Sequence, residues 1–444
     1  FTADFTPDLE ETWTATLVVT DGVNTTIGSA SYVCVNDAPL PDAGETRYGN
    51  LGQTSAETTP IPLVGTALDI NADAPLDYIW SLDAKPAASA LVVGTTIGSA
   101  STAQFVPDVE GQYVLRLRAS DPQGAAGSDT VIVEAHRHIR DLGHDVDDAE
   151  YARNAGVIVM VGHDPANSAK GMLWTLDLAT GTETPVPLET SPTSVSVSVD
   201  GTRAAVADDV YVRRVSLGAT PTVASEIAPF SVRDVAIVGS SDAYLFPYYE
   251  PYATTQPHIR AYDLANGGLT ETYKYGNAGV GDPVLANVLY AADDQWGELT
   301  RYTTSGRGTL GQTHADYDYS CPGGRIWAAE NGGHVFSSCG SIHVASTLEK
   351  LLKSLPYGIQ HLHSAATSGE VVLLSGTAAS LQRFSASFDA VSSEALPYWG
   401  LAGNGSASTG RFAFISADGK IRWAIVRANV AGVWKTGLVT FTSP

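Results

Sequence analysis

The sequence predicts an all-β chain in which a β-sandwich precedes a β-propeller, and three observations predict it. Turn signals fall about every 8 to 12 residues along a chain rich in Thr, Ser, Gly and Asp, with apolar and polar residues alternating between them. The first third carries an internal offset of 100 residues. The remainder carries a shorter motif that recurs seven times, at intervals of 39 to 47 residues.

The offset matches Ala3-Asp4-Phe5-Thr6-Pro7-Asp8-Leu9-Glu10 to Ala103-Gln104-Phe105-Val106-Pro107-Asp108-Val109-Glu110. It runs on without a gap through Trp13 over Tyr113, Leu17 over Leu117 and Asp21 over Asp121, so inward and outward residues stay in step. A period of about 100 residues is that of one immunoglobulin-like sandwich. The complete copy is read as residues 36–136, with alternating strands at 77–81 and 113–118, Trp80 as the buried core Trp and Tyr113 as a corner Tyr. Residues 1–35 read as the C-terminal half of such a sandwich, which leaves roughly 65 partner residues to be supplied. Either a longer parent carries tandem copies, or another subunit completes the half by strand addition at residues 12–20.

Four separated segments carry a family likeness: Asn36-Asp37-Ala38-Pro39, residues 69–80 ending in Asp77-Tyr78-Ile79-Trp80, residues 105–113, and Ser120-Asp121. Together they resemble a PKD (polycystic-kidney-disease) domain. The resemblance implies a bacterial cell-surface or secreted setting, where such domains act as spacers or polymer-contacting modules beside another domain. It implies no activity.

The second motif is an alternating strand followed by a polar turn. Its copies begin at Leu173, Val212, Ile259, Leu299, Ile342, Leu381 and Ile421, separated by 39, 47, 40, 43, 39 and 40 residues, which is a propeller period. Most are preceded by two strands joined at a tight turn such as Asp200-Gly201, where Gly supplies positive φ, and each repeat finishes in a more polar fourth strand. A seven-bladed β-propeller of four-stranded blades, about 41 residues each, then fills residues 148–444. The phrases Leu176-Asp177-Leu178-Ala179-Thr180-Gly181 and Ser198-Val199-Asp200-Gly201 resemble propellers of the YVTN or surface-layer type. Residues 137–147 either link the two domains or add an outer strand that closes the ring.

Charge narrows the partners. Lys and Arg total 25 against 48 Asp and Glu in 444 residues, a net charge of -23, so phosphate is repelled and nucleic acid is excluded. No apolar run reaches about 18 residues, so no membrane insertion is expected. Residue 1 is Phe, with neither a charged n-region nor an apolar h-region after it, which reads as a mature, trimmed or partial chain. Composition favours an extracellular place, and the PKD resemblance implies that it is on or near a bacterial cell surface.

Four groups of residues could carry chemistry. Residues just ahead of each innermost propeller strand should ring the channel mouth, which nominates Asp148, Arg233 with Asp234, Asp282, Tyr319, His361 and His363. That mixture suits a polar ligand such as a sugar; equally, channel groups satisfy one another and water. The long excursion at residues 246–257 carries Tyr248, Tyr249 and Tyr252, which either stack on pyranose rings, anchor an interface, or cover a blade edge. Asp37, Asp69, Asn71, Asp73 and Asp121 are hard oxygen ligands of the kind Ca²⁺ takes, against the alternative of a solvated acidic face. They are not an EF-hand, lacking its Gly and terminal Glu. Cys321 and Cys339, 18 positions apart, should form a disulfide, leaving Cys34 without a partner in this chain.

No Gly-x-Ser-x-Gly, His-Glu-x-x-His or Gly-x-x-x-x-Gly-Lys signature is present. The expected role is therefore a non-catalytic extracellular protein for adhesion or recognition of a glycan or a cell-surface protein. The alternatives are a structural filament or surface-layer subunit that self-assembles through residues 1–35, and a polysaccharide-active hydrolase or lyase using acidic and His residues at the channel, with His361 and His363 sharing proton transfer with Asp148 or Asp282.

Overall fold

The computed structural model describes residues 11–33, 35–52, 58–218, 221–228, 230–248, 257–293, 298–316, 321, 324–376, 378–401 and 404–442. Apart from a 3₁₀ turn at Arg153–Ala155, the regular elements among the described residues are strands. Two compact units divide the chain: Phe1–His138 with Tyr398–Gly405, and Ile139–Pro397 with Ser406–Pro444.

In the first unit Thr12–Thr20 and Thr25–Val33 form a hairpin, in register from Thr12 opposite Val33 to Thr20 opposite Thr25. Asp21 turns it, its Oδ1 accepting the N–H groups of Val23 at 2.9 Å and Asn24 at 2.7 Å. Further along, Gly111–Ser120 and Ala126–His136 repeat the hairpin with a turn one residue longer. Where this second hairpin buries Tyr113, Leu115, Leu117 and Ala119, the first leaves Leu17 and Val19 exposed. The matched residues 3–10 lie outside the described residues.

The second hairpin sits inside a five-stranded sheet ordered Arg47–Asn50, Ala126–His136, Gly111–Ser120, Asp77–Ala84, Thr96–Gly98. Two strand pairs, Leu40–Asp42 with Thr66–Leu68 and Ile61–Val64 with Thr102–Phe105, accompany it. Ile61, Leu63 and Phe105 join Trp80, Tyr113, Leu115, Leu117, Val131 and Val133 in one core, where each large side chain contributes about 1.5–3 kcal/mol by burial. Gly65 permits that packing: a Cβ there would lie 2.3 Å from Leu117 Cδ2 and 2.9 Å from the Trp80 ring. The Tyr113 hydroxyl lies 2.8 Å from Asp108 Oδ1 and 2.9 Å from the Val109 carbonyl, and accepts the Val109 N–H at 3.1 Å, pinning the chain as it enters its strand.

The second unit is a succession of meanders. Asp148–Ala152, Val157–Asp164, Asn167–Asp177 and Glu183–Leu188 pair in chain order. The same order recurs from Ser194–Val197 to Thr222–Ile227, from Val232–Val238 to Leu269–Glu271, from Ala278–Gly281 to Leu310–Asp316, and from Ile359–Ser364 to Ala390–Ala395. Second strands are buried on both faces, which is why Ile158-Val159-Met160-Val161 and Val371-Val372-Leu373-Leu374 read as unbroken apolar runs. Outermost strands such as Ala390–Ala395 are largely exposed and polar.

Two sheets depart from the expected pattern. Ile326–Ala328, His334–Ser337 and Ile342–Val344 make a three-stranded sheet, because the Leu348 N–H closes a tight turn on the Val344 carbonyl at 2.7 Å and only one bridge, His343 with Lys350, stands where a fourth strand was expected. The last sheet is ordered Ile139–Asp141, Val433–Thr442, Ile421–Val430, Thr409–Ile415. Ile139–Asp141 is thus an outer strand, Ile139 opposite Val439, and, counted from Thr409–Ile415, the Ile421 copy of the recurring motif stands second in its sheet, where the earlier copies stand third from the first strand of theirs.

Apolar clusters join each sheet to a neighbour. Val159, Val161 and Leu173 pack on Val195, Ala204 and Val206; Ala205 and Val212 pack on Val235, Leu245 and Tyr262. Ala149, Ile158, Met160 and Trp174 pack on Phe412, Phe414, Trp423 and Ile425, which brings the last sheet onto the first and closes a ring.

Cys321 and Cys339 are bonded, with Cα atoms 5.7 Å apart, as the sequence predicts. Cys34 lies outside the described residues. Closing a loop of this length restricts the unfolded chain. Replacing both with Ser is expected to lower stability by about 3 kcal/mol, read as the change in urea midpoint between parent and variant, and the parent alone should lose that margin in a thiol reductant.

Candidate functional site

The first strands of successive sheets stand side by side around a central cavity of about 160 Å³. Their outward edges carry N–H groups with no neighbouring strand to accept them, and buried backbone donors need acceptors. Side chains of the preceding sheet supply these. Asp148 Oδ2 accepts the Val195 N–H at 2.9 Å and Glu150 Oε2 that of Val197 at 2.7 Å. Ser194 and Ser196 do the same for Val235 and Ile237 at 3.3 and 3.1 Å, and Asp234 Oδ2 for Gly279 at 3.0 Å. His361 and His363 accept through Nδ1 from Ala413 and Ile415 at 3.2 and 3.4 Å. The i, i+2 spacing within each pair places both acceptors on one face of a strand. Gly279 has to be small, since a Cβ would lie 2.0 Å from the Phe246 ring.

Charge is concentrated there. Asp148, Glu150, Asp234 and Glu330 line the cavity with Arg153, Arg325, His361, His363, Tyr151 and Trp327. Arg325 lies 3.3 Å from Asp148 Oδ1, Arg153 lies 2.8 Å from Glu330 Oε2, and His363 Nε2 lies 3.4 Å from Glu330 Oε1. Removal from water pushes the Glu150 carboxyl well above the usual carboxylate range, and the charges of Asp148, Asp234 and Glu330 add to the effect against the opposing Val197 hydrogen bond. Burial likewise raises Asp234. Glu330 goes the other way, because His363 and Arg153 outweigh its desolvation. Burial, with His363 and Arg325 close by, depresses His361 to about 3, so its ring is neutral, with Nδ1 lying 3.2 Å from the Ala413 N–H and 3.1 Å from the Ala413 carbonyl.

Of the sequence-predicted mouth residues, Asp148, Asp234, His361 and His363 line this cavity; Arg233 and Asp282 do not. Asp282 follows its innermost strand, Ala278–Gly281, and so lies at the opposite end from the one expected. There it takes the N–H groups of Val284 and Leu285 and the Tyr290 hydroxyl, each at 2.8 Å. Tyr248 is part-exposed beyond the strand Asp242–Pro247 and is not in the lining. Tyr249, Tyr252 and Tyr319 lie outside the described residues. Glu150, Arg325 and Glu330 were missed. The Asp148-x-Glu150 alternation could have revealed Glu150; nothing local marks the other two, which come from another sheet.

Of the nominated metal ligands, Asp69, Asp73 and Asp121 bring carboxylate oxygens within 4.8 Å of one another. Asn71 Oδ1 instead accepts the Asp37 N–H at 2.9 Å, and the Asp37 carboxylate is outside the cluster.

No protein-family model matches the chain, and no curated protein does. Solved structures are similar to it. The β-propeller domain of Cps50 (Swd1) from Myceliophteria thermophila shares 11% identity at a TM-score of 0.49, covering 68% of this chain and 100% of that one. A quinonprotein alcohol dehydrogenase-like protein from Bacteroides thetaiotaomicron shares 12% at 0.39, covering 80% and 96%. A functionally unknown protein from Desulfotomaculum acetoxidans shares 14% at 0.45, covering 65% and 94%. At such identities the likeness concerns fold alone; the closed ring of sheets is what makes the second unit propeller-like.

The raised Glu150 carboxyl has a signed consequence. With its folded-state pKa well above the ordinary glutamate value of 4.5, the folded chain retains a proton that the unfolded chain releases between those two values. Stability is therefore favoured at low pH and declines as pH rises through that window. Glu150→Gln keeps an acceptor for Val197 and removes the charge. The variant should melt higher than the parent at about pH 7 to 8, and the gap should close towards about pH 4; a gap that does not vary with pH in a melting series would refute the assignment.

Proposed function

We propose that the chain is a non-catalytic extracellular recognition protein of a bacterial surface, a PKD-like β-sandwich beside a seven-bladed propeller whose channel takes a glycan. One observation carries the reading. Glu150 uses one carboxylate oxygen on Val197, and its hard-to-ionise carboxyl shares a cavity with further carboxylates, two guanidinium groups, and the Tyr151 and Trp327 rings. A hydroxyl-rich ligand matches that inventory: carboxyl and carboxylate oxygens accept from sugar hydroxyls, guanidinium groups donate to ring and hydroxyl oxygens, and aromatic rings pack on the C–H faces of a pyranose. A polyanion does not match it, given the net charge of -23. The sandwich reading is supported by Trp80 in the core, the Tyr113 corner and the repeated hairpin. The Cys321–Cys339 disulfide favours an oxidising compartment.

The test is a broad glycan and polysaccharide array probed with the purified chain. Binding is expected, and Trp327→Ala should weaken it about tenfold or more, roughly 1.4 kcal/mol, with Glu150→Gln altering its pH dependence. A blank array, or binding indifferent to both substitutions, removes the glycan reading.

A second reading has one observation behind it. Leu17, Val19 and Tyr32, which share one face of the first hairpin, are exposed, whereas the equivalent hairpin buries its apolar face. A second copy of the chain docking there would form a filament or surface-layer contact. Light scattering should then show concentration-dependent association that Leu17→Lys abolishes; a monomer at all concentrations refutes it.

A further inference from the structure

We propose that Asp69, Asp73, Asp121 and Asn36 bind a Ca²⁺ ion within the first unit, a site that does not rest on the glycan reading. Three chain segments converge there. Asp69 and Asp73 lie in the loop between the strands Thr66–Leu68 and Asp77–Ala84, Asp121 opens the turn between Gly111–Ser120 and Ala126–His136, and Asn36 precedes the strand Leu40–Asp42. The three carboxylates offer oxygens within 4.8 Å of one another, and among the described residues no Lys or Arg side chain pairs with any of them. Like charges held so close in a partly dry setting repel unless a cation lies between them.

Acceptor oxygens in the cluster outnumber the donors that reach them. Asp69 Oδ1 accepts the Asn71 N–H at 2.8 Å and faces that of Asp73 at 3.5 Å. Asp73 Oδ1 takes Gln123 Nε2 at 3.3 Å; Asp121 takes the Ala125 N–H on Oδ1 at 3.0 Å and Asn36 Nδ2 on Oδ2 at 3.0 Å. What remains is Asp69 Oδ2, Asp73 Oδ2 and Asn36 Oδ1, all three buried atoms with no hydrogen-bond partner, and Asp69 is only 9% exposed. Buried oxygens are ordinarily satisfied, and one cation shared by the three segments would satisfy all three at once while offsetting the carboxylate charges.

The chemistry selects the ion. Every candidate ligand is a hard oxygen, with no His or Cys among them, which disfavours zinc and copper. Ca²⁺ takes about six to eight oxygens in flexible geometry, which suits ligands drawn from three separate chain segments better than the strict octahedron and reluctant dehydration of Mg²⁺. Bound Ca²⁺ would tie residue 36, which follows the first hairpin, to both the 69–73 loop and the turn at Asp121.

The full chain, treated with EDTA and then freed of it, is titrated calorimetrically with CaCl₂ and separately with MgCl₂, and its thermal unfolding is followed with each. One Ca²⁺ per chain is expected, with a Kd at or below about 1 mM, and a rise in melting temperature that equal Mg²⁺ does not reproduce. Asp69→Asn combined with Asp73→Asn should abolish the heat and the rise, while melting in EDTA at or above the parent temperature because the repulsion is relieved. Asn36→Ala, which loses a ligand oxygen together with the hydrogen bond to Asp121, should weaken Ca²⁺ about tenfold. No Ca²⁺ heat at about 5 mM, an equal response to Mg²⁺, or a response retained in the double variant overturns the site.

Discussion

The short strand Ile139–Asp141 is the closure on which the second unit depends. Its pairing with Val433–Thr442 joins the beginning of that unit to its end, so one sheet contains strands from both. The first and last sheets can then bury Met160 and Trp174 against Phe414 and Trp423; left open, each would present that apolar face, and a free strand edge, to water. Contacts this distant in sequence have a large loop-closure entropy, which is offset here by a face of large aromatic and aliphatic side chains rather than by the few hydrogen bonds of a three-residue strand.

Closure also creates the chemistry of the channel. Innermost strands from different sheets meet there edge to side chain, so their N–H groups need acceptors, and Asp148, Glu150, Ser194, Ser196, Asp234, His361 and His363 provide them. A polar channel is in this sense a structural requirement before it is a functional one. What exceeds the requirement is charge: a serine satisfies an N–H as well as a carboxylate does, yet four carboxylates and two guanidinium groups are gathered in one small cavity. Their mutual influence, with Glu330 held ionised by His363 and Arg153 while Glu150 resists ionisation, gives neighbouring carboxyl groups different protonation behaviour within one site.

The first unit shows one local pattern in two settings. The hairpins beginning at Thr12 and Gly111 share their alternation and an Asp at the turn, but among the described residues only the later one is joined by neighbouring strands that bury its apolar face. The turn aspartates also diverge: Asp21 binds its own turn, whereas Asp121 additionally meets Asn36 and stands beside Asp69 and Asp73. Identical local sequence logic thus yields a solvated hairpin in one place and a core with a charged rim in the other.

Period-two alternation, recurrent spacing and turn residues are local properties, and what they govern was legible in the sequence: the all-β class, the meanders, Trp80 and Tyr113 in their core, and the Cys321–Cys339 bond across a hairpin. Asp148, Asp234, His361 and His363 were legible as channel residues for the same reason, standing at the start of innermost strands or within them. Arg325 and Glu330 were not, because their approach to Asp148 and Arg153 depends on how many residues each sheet uses on its way round, and no local pattern encodes that sum. Asp282 was assigned to the wrong end because one strand boundary, at Gly281, decides which rim it joins. The sequence by itself determined which segments become strands and which faces are apolar; the tertiary structure alone decided which polar groups meet, since convergence in the channel and at Asp69, Asp73 and Asp121 follows from closing loops over long separations rather than from any neighbour in the chain.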